Sequence, residues 1–353
     1  AYTALADINL GAMVEFTLLN GRCRKSGLDI SIQTGVPEEF KDFEAFCNAL
    51  KRQLAYAVRT VVKGSHLIDE IGFNRTVPAL SLSFKECVQS AMDYAWGGAK
   101  YNTGNGIILI GIADLINSMA AIKHLIYDTK QISMSQLLSA LDSNFENSPE
   151  ILRLCKDAPK YGNDVEWVDN MAAEIFTYIA DEIESYKSRF GTMTPGILPV
   201  SGNTPFGLEV GALPSGRLAW KPLADGVSPN GGTDFEGPSA VLKSVAKLPH
   251  DRFVQGTLLN MKIEPTLFST EAGIQNVMAL LKTLCSLNIF HVQFNVIDQH
   301  KLIDAQKHPE EYKGLLVRVA GYTAYFTELG KDVQDEIIGR TIQSSLSSPL
   351  SCG

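Results

Sequence analysis

The residues of this chain that could carry chemistry are few, and the most distinctive group lies near the C-terminus. There the sequence reads Val317-Arg318-Val319-Ala320-Gly321-Tyr322-Thr323-Ala324-Tyr325-Phe326. An apolar run, Gly314-Leu315-Leu316-Val317, enters a turn at Gly321 and leaves through an aromatic-rich segment. A glycine in such a place ordinarily supplies a turn residue with positive φ. Here it stands together with an arginine, aromatics and a helix-like stretch downstream, which is more specific than a turn requires. Glu86 is the second candidate. It follows residues 78–84, which read as a buried strand, and a carboxylate at a strand's end can orient a polar substrate group or shuttle its proton. Its other reading is an exposed acid on the first turn of the next helix, where the dipole favours it. His291 falls in a strand and reads as a core histidine, whereas His308-Pro309-Glu310-Glu311 reads as a helix start on the surface. Cys23, Cys47, Cys87, Cys155, Cys285 and Cys352 are scattered, without a C-x-x-C pair or zinc-like spacing to histidine. Neither a metal site nor a disulfide framework is therefore predicted, and all six thiols are expected to be buried and inert. Gly104, Gly106 and Gly111 lack the spacing of a dinucleotide fingerprint.

The elements that must position these residues alternate between helical stretches and glycine-rich turns, an α/β pattern. Residues 9–19 read as a mostly apolar helix and residues 38–62 as a long amphipathic one. A helix is predicted at 112–127, a further one capped by Ser133 and Gln136, and a long one ending at Tyr186 with Asn163 or Asp164 as its cap. Residues 192–239 concentrate proline and glycine; Arg217 and Asp225 in this stretch are expected to pair. Beyond it come a strand at 256–263, a helix near 270–287, a strand at 289–297 and a turn of helix opened by Pro309. With 353 residues and 45% hydrophobic content, the chain can bury a large core. A net charge of -8 argues against a nucleic-acid surface. No apolar run approaches the ~18 residues of a membrane span, and the N-terminus has no signal pattern. A cytoplasmic, reduced environment is the simplest expectation. The chain opens on Ala1 and reads at once as mid-helix sequence, so it is expected to be the C-terminal part of a longer polypeptide.

The run around Gly321 resembles the radical loop of the glycyl radical enzymes, and Val333-Gln334-Asp335-Glu336-Ile337-Ile338-Gly339-Arg340-Thr341 resembles the helix that follows it there. Gly97-Gly98-Ala99-Lys100-Tyr101-Asn102, Ser118-Met119-Ala120-Ala121-Ile122-Lys123 and Ala158-Pro159-Lys160-Tyr161-Gly162-Asn163-Asp164 are similar to segments of the same superfamily. So are Gly211-Ala212-Leu213-Pro214-Ser215-Gly216-Arg217, Pro222-Leu223-Ala224-Asp225-Gly226-Val227-Ser228-Pro229 and Gln293-Phe294-Asn295-Val296. The resemblance covers nearly the whole chain. It is nearest to the branch of glycerol and choline lyases and arylacetate decarboxylases rather than to pyruvate formate-lyase proper. It implies part of a ten-stranded α/β barrel of two five-stranded half-barrels, surrounded by helices, with the glycine loop entering the barrel. Residues 1–240 would then be the C-terminal part of the barrel domain and 241–353 the glycyl radical domain.

By this resemblance Gly321 stores a backbone carbon radical, within a loop formed by Arg318, Val319, Ala320 and Tyr322. A Cα radical is stabilised when the centre flattens and shares its electron with the flanking amide and carbonyl; a Cβ would crowd that geometry. Apolar Val317, Val319, Tyr325 and Phe326 are expected to shield it. The family also needs a cysteine in a Gly-Cys-x-Glu setting, which the six cysteines here lack; it is expected just upstream of Ala1, so this chain alone should not turn over substrate. The radical eliminases of the branch carry an acid in a stretch that aligns with Tyr2, Thr3 and Ala4, which offer no carboxylate. With Glu86 resembling the extra glutamate of 4-hydroxyphenylacetate-type enzymes, arylacetate decarboxylation is the preferred reading. A glycerol or diol dehydratase, another C–C, C–N or C–S radical lyase, a formate acetyltransferase-like enzyme and a radical spare part stay open, as does a scaffold that kept the fold. The resemblance further implies a small-molecule substrate, no bound cofactor, a homodimer and a separate activating enzyme with S-adenosylmethionine and an iron–sulfur cluster. The loop around 314–330 would leave the barrel for activation, with Gly314, Gly330 and Gly339 as hinges, and oxygen would cut the activated backbone at Gly321.

Overall fold

The structure, a computed structural model, describes residues 5–198 and 200–343. Two three-stranded parallel sheets organise it. In the first, Gly106–Ile110 lies between Ala6–Asn9 and Thr194–Gly196; in the second, Leu258–Ile263 lies between Ile342–Gln343 and His291–Val296. A single parallel bridge, Ile197 to Thr257, links the two sheets. Ile197 N–H donates to Gly256 O at 2.7 Å and Leu258 N–H donates to Ile197 O at 3.1 Å. All five residues of Gly106–Ile110 are buried, as expected of a parallel strand covered on both faces, which reads as an unbroken apolar run.

The helices follow from their caps and stripes. Leu10–Leu18 starts at Asn9, whose side chain accepts from Ala12 N–H, and Phe43–Phe73 starts at Asp42, which accepts from Ala45 N–H. Phe46, Leu50, Leu54, Val58 and Val62 form the buried stripe of the latter. Ile112–Ile122 is buried along its whole length and continues into a π-helical turn, Lys123–Asp128. The expected capping box of Ser133 and Gln136 opens Met134–Asp142. The helix Glu271–Ser286, the strand His291–Val296 and a 3₁₀ turn begun by Pro309 also form where the sequence places them.

Two expectations need correction. Residues 78–84 are not a buried strand: Pro78–Ser81 is a short helix with Leu80 and Leu82 exposed. Pro78 presets the φ of a first helical turn, and the Asp93 carboxylate binds Val77 N–H and the Ser81 hydroxyl, which holds the turn. No strand among the described residues pairs with this segment, so its apolar alternation has no sheet to serve. Nor do Asn163 and Asp164 cap the long helix, which is Glu166–Glu184. Asn163 instead joins Thr233 O, Phe235 N–H and Glu236 N–H, and Asp164 pairs with Lys243.

The main core runs from Ile8 to Leu284 in sequence and fills the space around both sheets. A second, smaller cluster consists of Ile297, Leu302, Ala305, Val317, Val319, Phe326 and Ile337. It is the base on which the C-terminal hairpin stands. Among the described residues no helix is long and apolar enough to cross a membrane.

Candidate active site: a glycine hairpin clasped by a polar strand face

Gly321 sits at the tip of an antiparallel hairpin. Leu316–Arg318 pairs with Thr323–Tyr325, Arg318 lying opposite Thr323. Val319 N–H donates to Tyr322 O at 2.9 Å and closes the turn. Gly321 has φ +92, a region that side chains with a Cβ rarely occupy. A Cβ placed there would meet only Leu198 Cδ1, at 3.6 Å, which is ordinary contact. The glycine is therefore required by backbone conformation and not by crowding.

The hairpin is held from one side by the strand His291–Val296. In a strand alternate residues face the same way, so His291, Gln293 and Asn295 form one polar row. Asn295, 6% exposed, acts like a neighbouring strand: its Nδ2 donates to Arg318 O at 2.7 Å and its Oδ1 accepts from Arg318 N–H at 2.8 Å. Gln293 Oε1 accepts from Gly321 N–H at 3.2 Å and from Arg318 Nε at 3.3 Å. Arg318 NH1 also donates to Thr323 Oγ1 at 2.9 Å. Through its side chain Arg318 thus binds an amide and a hydroxyl.

The apolar shield is only partly as expected. Val317, Val319, Ala320 and Phe326 are buried and Tyr322 packs on the small cluster, but Tyr325 is 44% exposed and Gly321 itself is exposed. These side chains anchor the base of the hairpin, while its tip projects past them.

A charged group ties the helix Lys331–Gly339 to the rest. Arg340 bonds Glu336 at 2.9 and 2.8 Å through Nε and NH2, and its NH2 lies 3.4 Å from Asp225 Oδ2. Burial pushes the Glu336 carboxyl up while Arg340 pulls it back. Asp225 therefore pairs with Arg340 and Asn260, not with Arg217. Arg217 instead gathers the backbone carbonyls of Gly207, Val210, Gly211, Lys221 and Pro222. Lys262 donates to Ile338 O at 2.9 Å at the end of that last helix, and burial, followed by the nearby Arg340 charge, lowers its pKa to about 8. A cavity of about 390 Å³ borders Asp225, Asn260, Lys262, Glu336 and Arg340, and no residue of the 316–325 hairpin lines it.

Glu86 lies in the first turn of the helix Lys85–Ser90, half-buried. The strand that was to present it to a substrate does not exist, and no hydrogen bond or ion pair joins its side chain to the hairpin. Tyr2, Thr3 and Ala4 lie outside the described residues, as does Cys352. The other five cysteines are free, but only Cys87 and Cys155 are buried as expected; Cys23 and Cys47 are half-buried and Cys285 is exposed. Burial pushes Cys155 up to about 12 and Cys47 up to about 11, so neither supplies a thiolate near neutrality. Of these five, alkylation of the native protein at pH 7.5 (about one unit below an ordinary thiol pKa) is expected to label exposed Cys285 first and to spare Cys87 and Cys155, which peptide mapping would read. Among the described residues no cluster of histidine, cysteine and acids could hold a metal ion.

Gln293 and Asn295 were visible only as part of a family-like segment. The available signal was a polar residue at every second position of an otherwise apolar strand.

Comparisons with known proteins add the family. Residues 1–207 match the family described as pyruvate formate lyase-like, and residues 223–327, which include the whole hairpin, match the glycine radical family. The chain is 39% identical over 347 residues to trans-4-hydroxy-L-proline dehydratase of Clostridioides difficile, covering 98% of this chain and 44% of that protein. It is 29% identical over 354 residues to the glycyl radical subunit of 4-hydroxyphenylacetate decarboxylase from the same species, covering 93% of this chain and 39% of that protein. Its fold superposes with TM-score 0.91 and 39% identity on the glycerol-bound B12-independent glycerol dehydratase of Clostridium butyricum, covering 96% of this chain and 43% of that one. The chain thus spans less than half the length of these relatives. With its α/β fold, its two matched regions and its glycine hairpin, the chain belongs to the pyruvate formate lyase-like family of glycyl radical enzymes.

Proposed function

We propose that this chain is the radical-bearing part of a glycyl radical lyase that removes water from a small hydroxylated substrate. The observation that carries the radical reading is Gly321: a glycine at φ +92, on a hairpin tip whose backbone is held by Gln293 and Asn295. The substrate class rests on likeness. Identity is 39% to the hydroxyproline and glycerol dehydratases against 29% to the arylacetate decarboxylase. The decarboxylase preference also rested on Glu86 at a strand's end, and that strand is absent. The dehydratase alternative is therefore the better one.

In this reading a cysteine outside the chain gives its hydrogen atom to the Gly321 radical. The resulting thiyl takes a hydrogen atom from a substrate carbon beside a hydroxyl-bearing one. The substrate radical loses that hydroxyl as water, taking a proton from an acid that the rest of the protein would supply while the hydroxyl or amine on the radical carbon gives up its own proton to a base. The product radical recovers a hydrogen atom from the cysteine, whose thiyl takes one back from Gly321 and restores the glycyl radical. A separate activating enzyme with S-adenosylmethionine and an iron–sulfur cluster would install the radical. The ten-stranded barrel, the missing front part, the division near residue 240, a homodimer and a cytoplasmic, anaerobic setting belong to the same proposal. Because Gly321 is exposed here, its shield would come from the rest of the barrel.

The test is anaerobic activation of the full-length protein, followed by electron paramagnetic resonance and product analysis with glycerol, 1,2-propanediol, trans-4-hydroxy-L-proline and 4-hydroxyphenylacetate. A glycyl doublet with dehydration of one of the first three supports the reading. Carbon dioxide from the fourth alone would restore the decarboxylase, and no doublet with a competent activating enzyme would remove the radical.

A further inference from the structure

Gln293 has two ends with opposite tasks. It is 6% exposed, so its amide has little water to satisfy it. The Oε1 end accepts from Gly321 N–H and Arg318 Nε, while Nε2 lies 3.2 Å from His291 Nε2. An amide nitrogen only donates, so His291 Nε2 must accept, which makes the ring neutral with its proton on Nδ1. Burial, followed by the Arg318 charge, lowers the His291 pKa and favours that neutral form. Turning the amide over would set its NH2 group against the Gly321 N–H and the Arg318 Nε–H, donor facing donor. Only one orientation therefore satisfies all three neighbours.

The hairpin's own pairing leaves this hydrogen-bond donor out. Its closing bond runs from Val319 to Tyr322, and Arg318 pairs with Thr323. The Gly321 N–H, next to the proposed radical carbon, finds its partner in Gln293.

We propose that Gln293 is the positioning residue of Gly321: its carbonyl holds the Ala320–Gly321 peptide at positive φ, and His291 holds the carbonyl in place. The proposal deepens the radical reading of Gly321, although the hold itself exists with or without a radical. It names a part of the strand face that acts on the glycine itself; Asn295 acts only on Arg318.

Hydrogen exchange of the unactivated full-length protein, read by mass spectrometry on peptides spanning 316–325, tests it. Gln293→Met keeps size and removes the acceptor; Gln293→Glu keeps an acceptor for Gly321 and Arg318, and His291 meets its other oxygen by carrying its proton on Nε2 instead of Nδ1. The Met variant is expected to speed exchange at Gly321 about tenfold, the effect of losing one hydrogen bond worth about 1.4 kcal/mol, with exchange in 106–122 unchanged. The Glu variant should keep wild-type protection at Gly321. Should the Met variant not fold, Gln293→Asn, too short to reach, takes its place with the same expectation. Native protection at Gly321 in the Met or Asn variant, or equal loss in the Glu variant, would overturn the proposal. The wild-type resonance spectrum separates the two readings: a missing doublet removes the radical and leaves the exchange result to decide the hold.

Discussion

Gly321→Ala in the full-length protein is expected to fold and to show no glycyl signal after activation, with turnover at background. The fold should survive because an added Cβ meets only Leu198 Cδ1 at 3.6 Å. The backbone carries the cost: a residue with a Cβ held at φ +92 loses about 1–2 kcal/mol relative to a relaxed conformation. That is a small fraction of what holds the hairpin, since Asn295 and Gln293 grip its neighbours and Val317, Val319 and Phe326 are buried beneath it. The chemistry tolerates less than the fold does. An alanine radical at this position would have to flatten against its own methyl group, and the hydrogen atom would have to be taken from a more crowded carbon. Resonance on anaerobically activated protein gives the result directly. A doublet of normal yield from the alanine variant would place the radical elsewhere in the chain.

The second large effect concerns stability. Arg340→Leu is expected to lower unfolding free energy by about 3–5 kcal/mol, the usual result of removing one partner from a buried ion pair. Two carboxylates, Glu336 and Asp225, share this guanidinium, and none of the three side chains is more than 12% exposed. Their desolvation would persist without its compensation. The pH dependence has a definite sign. Burial already raises the Glu336 pKa above its ordinary value of 4.5, and removing Arg340 raises it further. A carboxyl with a raised folded pKa contributes stability that is present below its unfolded pKa and lost as pH rises through the folded one. The deficit of the variant should therefore be smaller at acidic pH and grow towards pH 8 (about three to four units above an ordinary Glu pKa). Urea unfolding followed at several pH values would show it. A deficit that is independent of pH, or below about 1 kcal/mol, would mean that the network does not hold the last helix.

The comparison of sequence with structure is instructive at particular residues. Ser133 and Gln136 formed the capping box that their spacing announces, because both groups lie within one turn of chain. Leu10–Leu18, Glu271–Ser286 and Gly321 behaved likewise: a helical stripe or a positive-φ turn depends on neighbours a few residues away. Residues 78–84 misled because alternation alone does not make a strand; a pairing partner does, and Pro78 with Asp93 offered the chain a helical turn instead. Asp225 found Arg340, more than a hundred residues on, rather than nearby Arg217.

By itself, the sequence determined the α/β pattern, the family likeness and the glycine proposed to carry the radical, since these are written in residue types and short spacings. Only the tertiary structure decided that Glu86 lies in the first turn of a helix and not at the end of a strand, that the hairpin tip is exposed, and that Gln293 and Asn295 clasp it. The clasp depends on which strand face meets which loop at sequence separations of 23 to 28. No local pattern carries that register; the packing of the whole chain does.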